Sequence, residues 1–245
     1  MNMKKVLFVL SLTLIVLMSS CVKPPQEPDT ILFSVLGDSY SAFEGYVDPE
    51  TNDAWSCYGD IGVTSVEQMW WHKVATEMEW VMEQNNSFSG SLISNFHDFD
   101  AGEYYAPHSF LRRMDDLGAP DVIFVFGGTN DVWQESTLGD FIYENWTDEQ
   151  LCSFRPAMAY MFEHLKTYYP KAKVYFMLDN RLGEGQNCDQ EQCAAYILSV
   201  REIASHYGVD CIDLDIHKSW IHPDVEGQQD IARQVLEIIE TDFNV

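Results

Sequence analysis

From about residue 31 onward, apolar residues follow two alternating patterns. Four short runs, ILFSVLG (31–37), DVIFVFG (121–127), KVYFMLD (173–179) and VDCIDL (209–214), have the length and the β-branched and aromatic content of buried strands. WVMEQNN (80–86) reads as a weaker one. Between the runs, apolar residues recur at helical spacing: Val66, Met69, Trp70 and Val74; Phe154, Met158, Met161, Phe162 and Leu165; Ile197, Val200, Ala204 and Tyr207; Ile231, Val235, Ile238 and Ile239. A shorter helix is predicted over 110–117. Strands without a polar face, separated by helices, imply a parallel sheet covered on both sides, because each parallel crossover needs a helix. No repeat or composition break divides the region. The prediction is one α/β domain over 31–245, a three-layer α/β/α sandwich around a five-stranded parallel sheet.

The residues before this domain read as an address. Lys4 and Lys5 precede an apolar run at 6–18, followed by Ser19, Ser20 and Cys21, which gives a charged region, a hydrophobic region and a small-residue cleavage site. The run is shorter than the roughly 18–20 residues of a spanning helix. Its ending, LMSSC, resembles a bacterial lipobox, with Leu17 one place further from the cysteine than the usual pattern has it. Residues 1–20 are therefore expected to be a lipoprotein signal peptide and Cys21 the lipidated first residue. The Pro-rich stretch at 21–30 is expected to be a tether. This implies an exported protein of the bacterial cell envelope, in the periplasm or at the cell surface, touching membrane through its lipid anchor only.

Charge narrows the partners. Against 39 acidic residues stand 14 basic ones, a formal charge of −25, so no basic stripe is available to replace the counterions of a nucleic acid. Loss of Lys4 and Lys5 would take the mature chain to −27. Export also permits disulfides. Beyond Cys21 the cysteines are Cys57, Cys152, Cys188, Cys193 and Cys211, and their spacing fits no zinc site. Cys57, Cys152, Cys188 and Cys193 fall on segments that follow strands, which predicts the pairs Cys188–Cys193 and Cys57–Cys152. Cys211, inside a strand, reads as a buried thiol.

In an open parallel sheet the functional crevice lies outside the carboxyl ends of the strands. Polar clusters sit at those ends: Gly37, Asp38, Ser39 and Tyr40; Ser89, Gly90 and Ser91; Gly127, Gly128, Thr129, Asn130 and Asp131. His222 immediately precedes the last helix. These residues carry a resemblance. LGDSYS (36–41), NSFSGS (86–91), FGGTND (126–131) and HPDVEG (222–227) are similar, in order and spacing, to the four blocks of the SGNH hydrolase superfamily, the GDSL esterases and lipases, over roughly 31–240. The resemblance implies a flavodoxin-like fold and a serine esterase working through an acyl-enzyme without cofactor or metal. Ser39 would be the nucleophile and His222 its base. The backbone N–H groups of Ser39 and Gly90 and the side-chain amide of Asn130 would form the oxyanion hole. Taken singly, each has an ordinary alternative: Ser39 a helix cap, Gly90 a turn glycine, Asn130 and Asp131 an Asx-turn. Asp38 is read as bonding locally around the turn.

One position departs from the family pattern. The aspartate usually found three residues before the histidine is replaced here by Ser219, in KSWIHP. A serine cannot carry the charge that steadies an imidazolium. A Ser39–His222 dyad oriented by the Ser219 or Trp220 carbonyl is expected, with Asp213 and Asp215 as candidates for a relocated acid. His217 reads as a surface or loop histidine. Two long segments, 41–63 and 132–151, carry Phe43, Tyr46, Trp55, Tyr58, Trp133, Phe141, Tyr143 and Trp146, which suit sugar stacking, an acyl pocket or the loops' own small core. Arg112, Arg113 and Arg155 suit either anion binding or ordinary surface pairing. The expected substrate is a small-molecule or glycan ester, an O-acetylated carbohydrate first. Lipase, lysophospholipase or thioesterase activity, or a glycan-binding lipoprotein with a decayed site, are the alternatives.

Overall fold

The computed structural model describes residues 30–47, 61–96, 108–183, 189–219 and 221–244. Residues 1–20 and 21–29, read above as signal peptide and tether, with Cys21 among them, lie outside the described residues, as do Trp55, Cys57, Tyr58, Cys188 and Trp220. Five strands form one parallel sheet: β1 (Leu32–Gly37), β2 (Val81–Ser87), β3 (Val122–Phe126), β4 (Lys173–Asp179) and β5 (Asp210–Leu214), in the order β2-β1-β3-β4-β5. Each lies within about one residue of the run that predicted it.

Alternation along the strands sends successive side chains to opposite faces, and two cores result. On one face Phe33, Val35, Phe124, Tyr175, Met177 and Ile212 pack against helices α1 (Trp70–Met78) and α6 (Val225–Phe243). On the other, Leu36, Ile123, Val125, Phe176 and Leu178 meet α2 (Phe110–Arg113), α4 (Phe154–Tyr168) and α5 (Gln190–Tyr207). A single-turn helix, α3 (Thr129–Trp133), follows β3.

Local departures from the predicted pattern have local causes. Val66 is not in the first helix. It lies in a 3-10 turn closed by Gln68, whose Oε1 accepts from Thr64 N and Ser65 N at 2.6 and 3.0 Å, and extended Met69 separates this turn from α1. Ile238 is 43% exposed, at the margin of the α6 apolar face rather than within it. The weak period of WVMEQNN is explained by position, since β2 is an edge strand whose Val81, Glu83 and Gln84 face solvent. Between β5 and α6 lies an element the periodicity does not show: a hairpin of two-residue strands, β6 (Lys218–Ser219) and β7 (His222–Pro223), pairing Lys218 with Pro223 and Ser219 with His222.

The cysteines correct one expectation. Cys152 is a free thiol whose Sγ lies 3.5 Å from the Asp148 carbonyl, so the Cys57–Cys152 pair does not form. The 3-10 turn Gln150–Cys152 aims the thiol into its own loop. Cys193 is disulfide-bonded, to a partner outside the described residues. Cys211 is free and half-buried, with burial raising its thiol pKa to about 12.

Candidate active site

Ser39 sits in the turn that ends β1. Ser41 N and Ala42 N both donate to the Asp38 carbonyl at 3.2 Å, and Tyr40 N donates to Asp38 Oδ1 at 3.0 Å, so the turn is closed by its own residues. The surroundings hold it from outside: Trp71 Nε1 and Asn85 Nδ2 donate to Ser41 O at 2.9 and 3.0 Å, and Trp70 Nε1 to Ser41 Oγ at 3.1 Å. From this turn Ser39 Oγ reaches His222 Nε2 across 3.0 Å, both residues being buried. Edge-on packing of the Tyr40 ring, with centroids 5.5 Å apart, supports the imidazole. Tyr40 Oη also donates to Ile221 O at 2.7 Å. Burial first, and the Lys218 ammonium second, lower the His222 pKa from 6.5 to about 3. The imidazole is therefore neutral over the working pH range and able to accept a proton.

Gly90 takes φ +79°, a left-handed conformation that glycine adopts without a Cβ clash. Among the described residues neither Ser39 N–H nor Gly90 N–H donates to any partner. Two backbone donors thus stay open in the loops that follow β1 and β2. Asn130, on α3, is also brought to this edge, but its amide is occupied: Nδ2 donates to Ser91 O at 3.0 Å and lies 3.4 Å from Asp38 Oδ2. Asp38 thus reaches beyond its own turn. Burial raises its pKa to about 7, against the lowering effects of the Tyr40 amide and Arg113.

Two buried residues organise this wall, and the sequence does not point to this role for either. Arg113 donates through Nη2 to Gly37 O (3.0 Å) and Ser91 Oγ (2.9 Å), through Nη1 to Asn86 Oδ1 (3.1 Å) and Asn86 O, and through Nε to His108 O (2.7 Å), lacing the ends of β1 and β2 together. Asp131 accepts from Ile93 N (2.7 Å), Ser94 Oγ (2.7 Å) and Ser94 N (3.2 Å), holding the loop after Gly90. Burial, opposed by these bonds, raises its pKa to about 6. Arg113 is one of the cations singled out above, but a four-residue helix has too little period to show its burial.

The acids considered for orienting His222 are committed elsewhere. Asp213 pairs with Arg201 at 3.0 Å and Asp215 with Arg181 at 3.3 Å, and both carboxylates are largely exposed. Ser219 donates to Asp224 Oδ2. Asp224 also caps α6 through Gly227 N (3.0 Å) and meets His217 Nδ1 at 3.0 Å, so His217 is a half-exposed loop histidine. Lys218 and Asp179, at the end of β4, form a buried ion pair close to His222. Asp179 shows the same signal as Asp38, an acid closing an apolar strand, and that signal could have found it.

The aromatic residues divide. Tyr143 stacks on His206 with centroids 3.9 Å apart and Trp146 packs edge-on against Tyr160, so these two brace α4 and α5. Phe141 lies under the Arg155 guanidinium at 4.3 Å, and Arg155 also donates to Ser199 Oγ and Gly139 O. Tyr46 and Trp133 remain about half exposed, Trp133 one turn from Asn130 on the same short helix.

A doubly covered parallel sheet thus carries a serine–histidine contact at its carboxyl edge, an arrangement with the parts that acyl transfer needs. Residues 31–239 match the family model of the GDSL-like lipases and acylhydrolases, and the chain belongs to that family. It is an ester hydrolase. Among solved structures, a candidate GDSL-like lipase from Bacteroides ovatus is 44% identical with a TM-score of 0.78, covering 87% of this chain and 100% of its own. Another from Bacteroides uniformis is 40% identical with a TM-score of 0.76, covering 86% and 96%. An acetyl xylan esterase from Butyrivibrio proteoclasticus shares the fold at 16% identity and a TM-score of 0.53, over 88% of this chain and 65% of its own. No curated protein matches the chain.

Proposed function

We propose that Ser39 and His222 act as a nucleophile–base pair that hydrolyses short acyl esters, acetyl esters on carbohydrate first, through an acyl-enzyme. The 3.0 Å contact between Ser39 Oγ and His222 Nε2 carries the reading. His222 takes the Ser39 proton as Oγ attacks the acyl carbon and returns it to the leaving alcohol. Water then repeats the sequence to release the acid. The open N–H groups of Ser39 and Gly90 receive the charge on the carbonyl oxygen, and Asn130 joins them by giving up its longer contact, the one to Asp38. Half-exposed Trp133 offers a face for a sugar ring. We further propose export and anchoring through Cys21, on the strength of the charged, apolar and LMSSC segments.

Acetate release from acetylated glycans, measured beside p-nitrophenyl esters of increasing chain length, tests the function. Turnover should fall with chain length, and Ser39→Ala should lower it by about 10⁴-fold or more. Preference for long chains would refute the acetylesterase assignment. Full activity in the Ser39→Ala protein would refute the mechanism.

A further inference from the structure

His222 is carried by a hairpin too short to hold itself. β6 and β7 have two residues each, and a lone two-stranded hairpin is marginal in water at best. It is tied to the sheet edge at two points, the Tyr40 Oη bond to Ile221 O from the β1 turn and the buried Lys218–Asp179 pair, which joins the β6 strand to the carboxyl end of β4 with both side chains almost fully enclosed. Asp179 is itself fixed, since its Oδ1 accepts from Arg181 N at 2.9 Å. The Lys218 ammonium lies 5.8 Å above the face of Tyr40, the ring that packs on His222. On its outer side the hairpin is pressed onto α6, where a side chain at Gly227 would meet the His217 carbonyl at 2.0 Å.

We propose that the Lys218–Asp179 ion pair is the positioning device for His222, clamping the hairpin to β4 so that Nε2 stays within reach of Ser39 Oγ. The inference rests on the Ser39–His222 reading above. A buried ion pair is a poor source of stability compared with apolar residues of similar volume, and such pairs serve better to fix a geometry. Displacing the base by about 1 Å would cost on the order of 10²-fold in rate. The pair also sets the field at the imidazole. Among the described residues, the titratable and charged groups around His222 and its hairpin are Ser39, Tyr40 and Asp38 from the β1 turn and Asp179 from β4. Lys218 and His217 on the hairpin segment, and Asp224, Glu226 and Asp230 at the start of α6, complete the set. Lys218 is the cation of this set that lowers the His222 pKa.

The test compares Lys218→Gln and the apolar double replacement Asp179→Leu with Lys218→Met against wild type. Lys173→Met serves as control, because Lys173 pairs with Asp210 on the same sheet but at the solvent surface. Two rates are read: p-nitrophenyl acetate hydrolysis and covalent labelling by a fluorophosphonate. In labelling, Ser39 Oγ bonds to phosphorus, fluoride departs and the serine proton passes to His222. Both clamp variants should lose about 10- to 100-fold in kcat and labelling rate with KM within about twofold, while the control matches wild type. In Lys218→Gln the acid limb of kcat/KM should move upward in pH, because the cation that helps lower the His222 pKa is gone, and the unchanged KM beside a reduced kcat is the readout that general loosening of the site would not give. Folded clamp variants with wild-type rates overturn the inference. Failure of every clamp variant to fold also overturns it, because the pair would then be a folding determinant. A wild-type protein that neither turns over esters nor takes the label defeats the Ser39–His222 reading itself, whereas a labelled wild type with unaffected variants defeats the clamp alone.

Discussion

The two sides of the proposed active site are built differently. The side of the proposed nucleophile is woven into the sheet: Ser39, Gly90 and Asn130 follow β1, β2 and β3, three adjacent strands, and Arg113 and Asp131 stitch the intervening loops with buried hydrogen bonds. The base side is suspended. His222 rides on a two-residue strand outside the sheet, held by the Lys218–Asp179 pair, the Tyr40–Ile221 hydrogen bond and the Asp224 cap. Damage to the first side should therefore be felt as lost stability as well as lost rate, whereas damage to the second should be felt mainly in the rate.

Replacing Arg113 with Met tests the first half of this contrast most severely. It removes a buried cation together with its hydrogen bonds and leaves Asp38 without its opposite charge, so about 3–5 kcal/mol of stability should be lost. For a chain of this size that is a drop of roughly 10 °C in Tm, readable by calorimetry. An unchanged Tm would mean that the nucleophile wall does not depend on its buried bonds. Asn130→Ala comes next, with kcat falling by about 10²–10³-fold, since it removes one oxyanion donor and frees the Ser91 carbonyl. A loss under tenfold would assign oxyanion binding to the two backbone amides alone.

The base side makes its own prediction through pH. With the folded His222 pKa near 3 and the ordinary value 6.5, the unfolded chain binds more protons between these limits, so this group's effect on folding becomes unfavourable as pH falls below 6.5. Asp38 and Asp131, raised to about 7 and about 6 from 3.8, act in the opposite sense, favouring the fold as pH falls through those values. The histidine contribution is isolated by matched denaturant melts of wild type and His222→Gln. The wild type should lose on the order of 2–3 kcal/mol relative to the variant between pH 7 and pH 4. A difference independent of pH would show that the imidazole is not held neutral. The smallest effects should come from Asp213→Asn and Asp215→Asn, whose exposed ion pairs contribute at most about 1 kcal/mol and whose loss should leave kcat within about twofold. A collapse of turnover in either would restore that acid as the partner of His222.

The same contrast separates what the sequence disclosed from what it concealed. Strands buried on both faces are continuous apolar runs, so β1, β3 and β4 stand out, edge strand β5 shows through Ile212 and Leu214 alone, and the polar residues that follow the strands mark the crevice. Ser39, Gly90 and Asn130 were legible for that reason. His222 was legible through its block, but its hairpin was not, because two-residue strands carry no period. Arg113 escaped because its burial depends on contacts from β1 and β2, more than twenty residues away in the chain. The Cys57–Cys152 pairing failed because proximity to one edge of the sheet does not fix which thiols meet, and Cys152 lies within a tight turn of its own loop.

The open sheet has one more consequence, at its two unpaired strands. β2 presents Val81, Glu83 and Gln84 to solvent along one rim, and β5 presents Asp210 and Asp213 along the other. A second copy adding itself to β5 strand to strand would meet these two carboxylates and the cations that pair with them, Lys173 and Arg201, in a chain already carrying −25. The charged side chains of the β5 rim thus act locally as a guard, discouraging the sheet from growing into a fibre when many copies are crowded together.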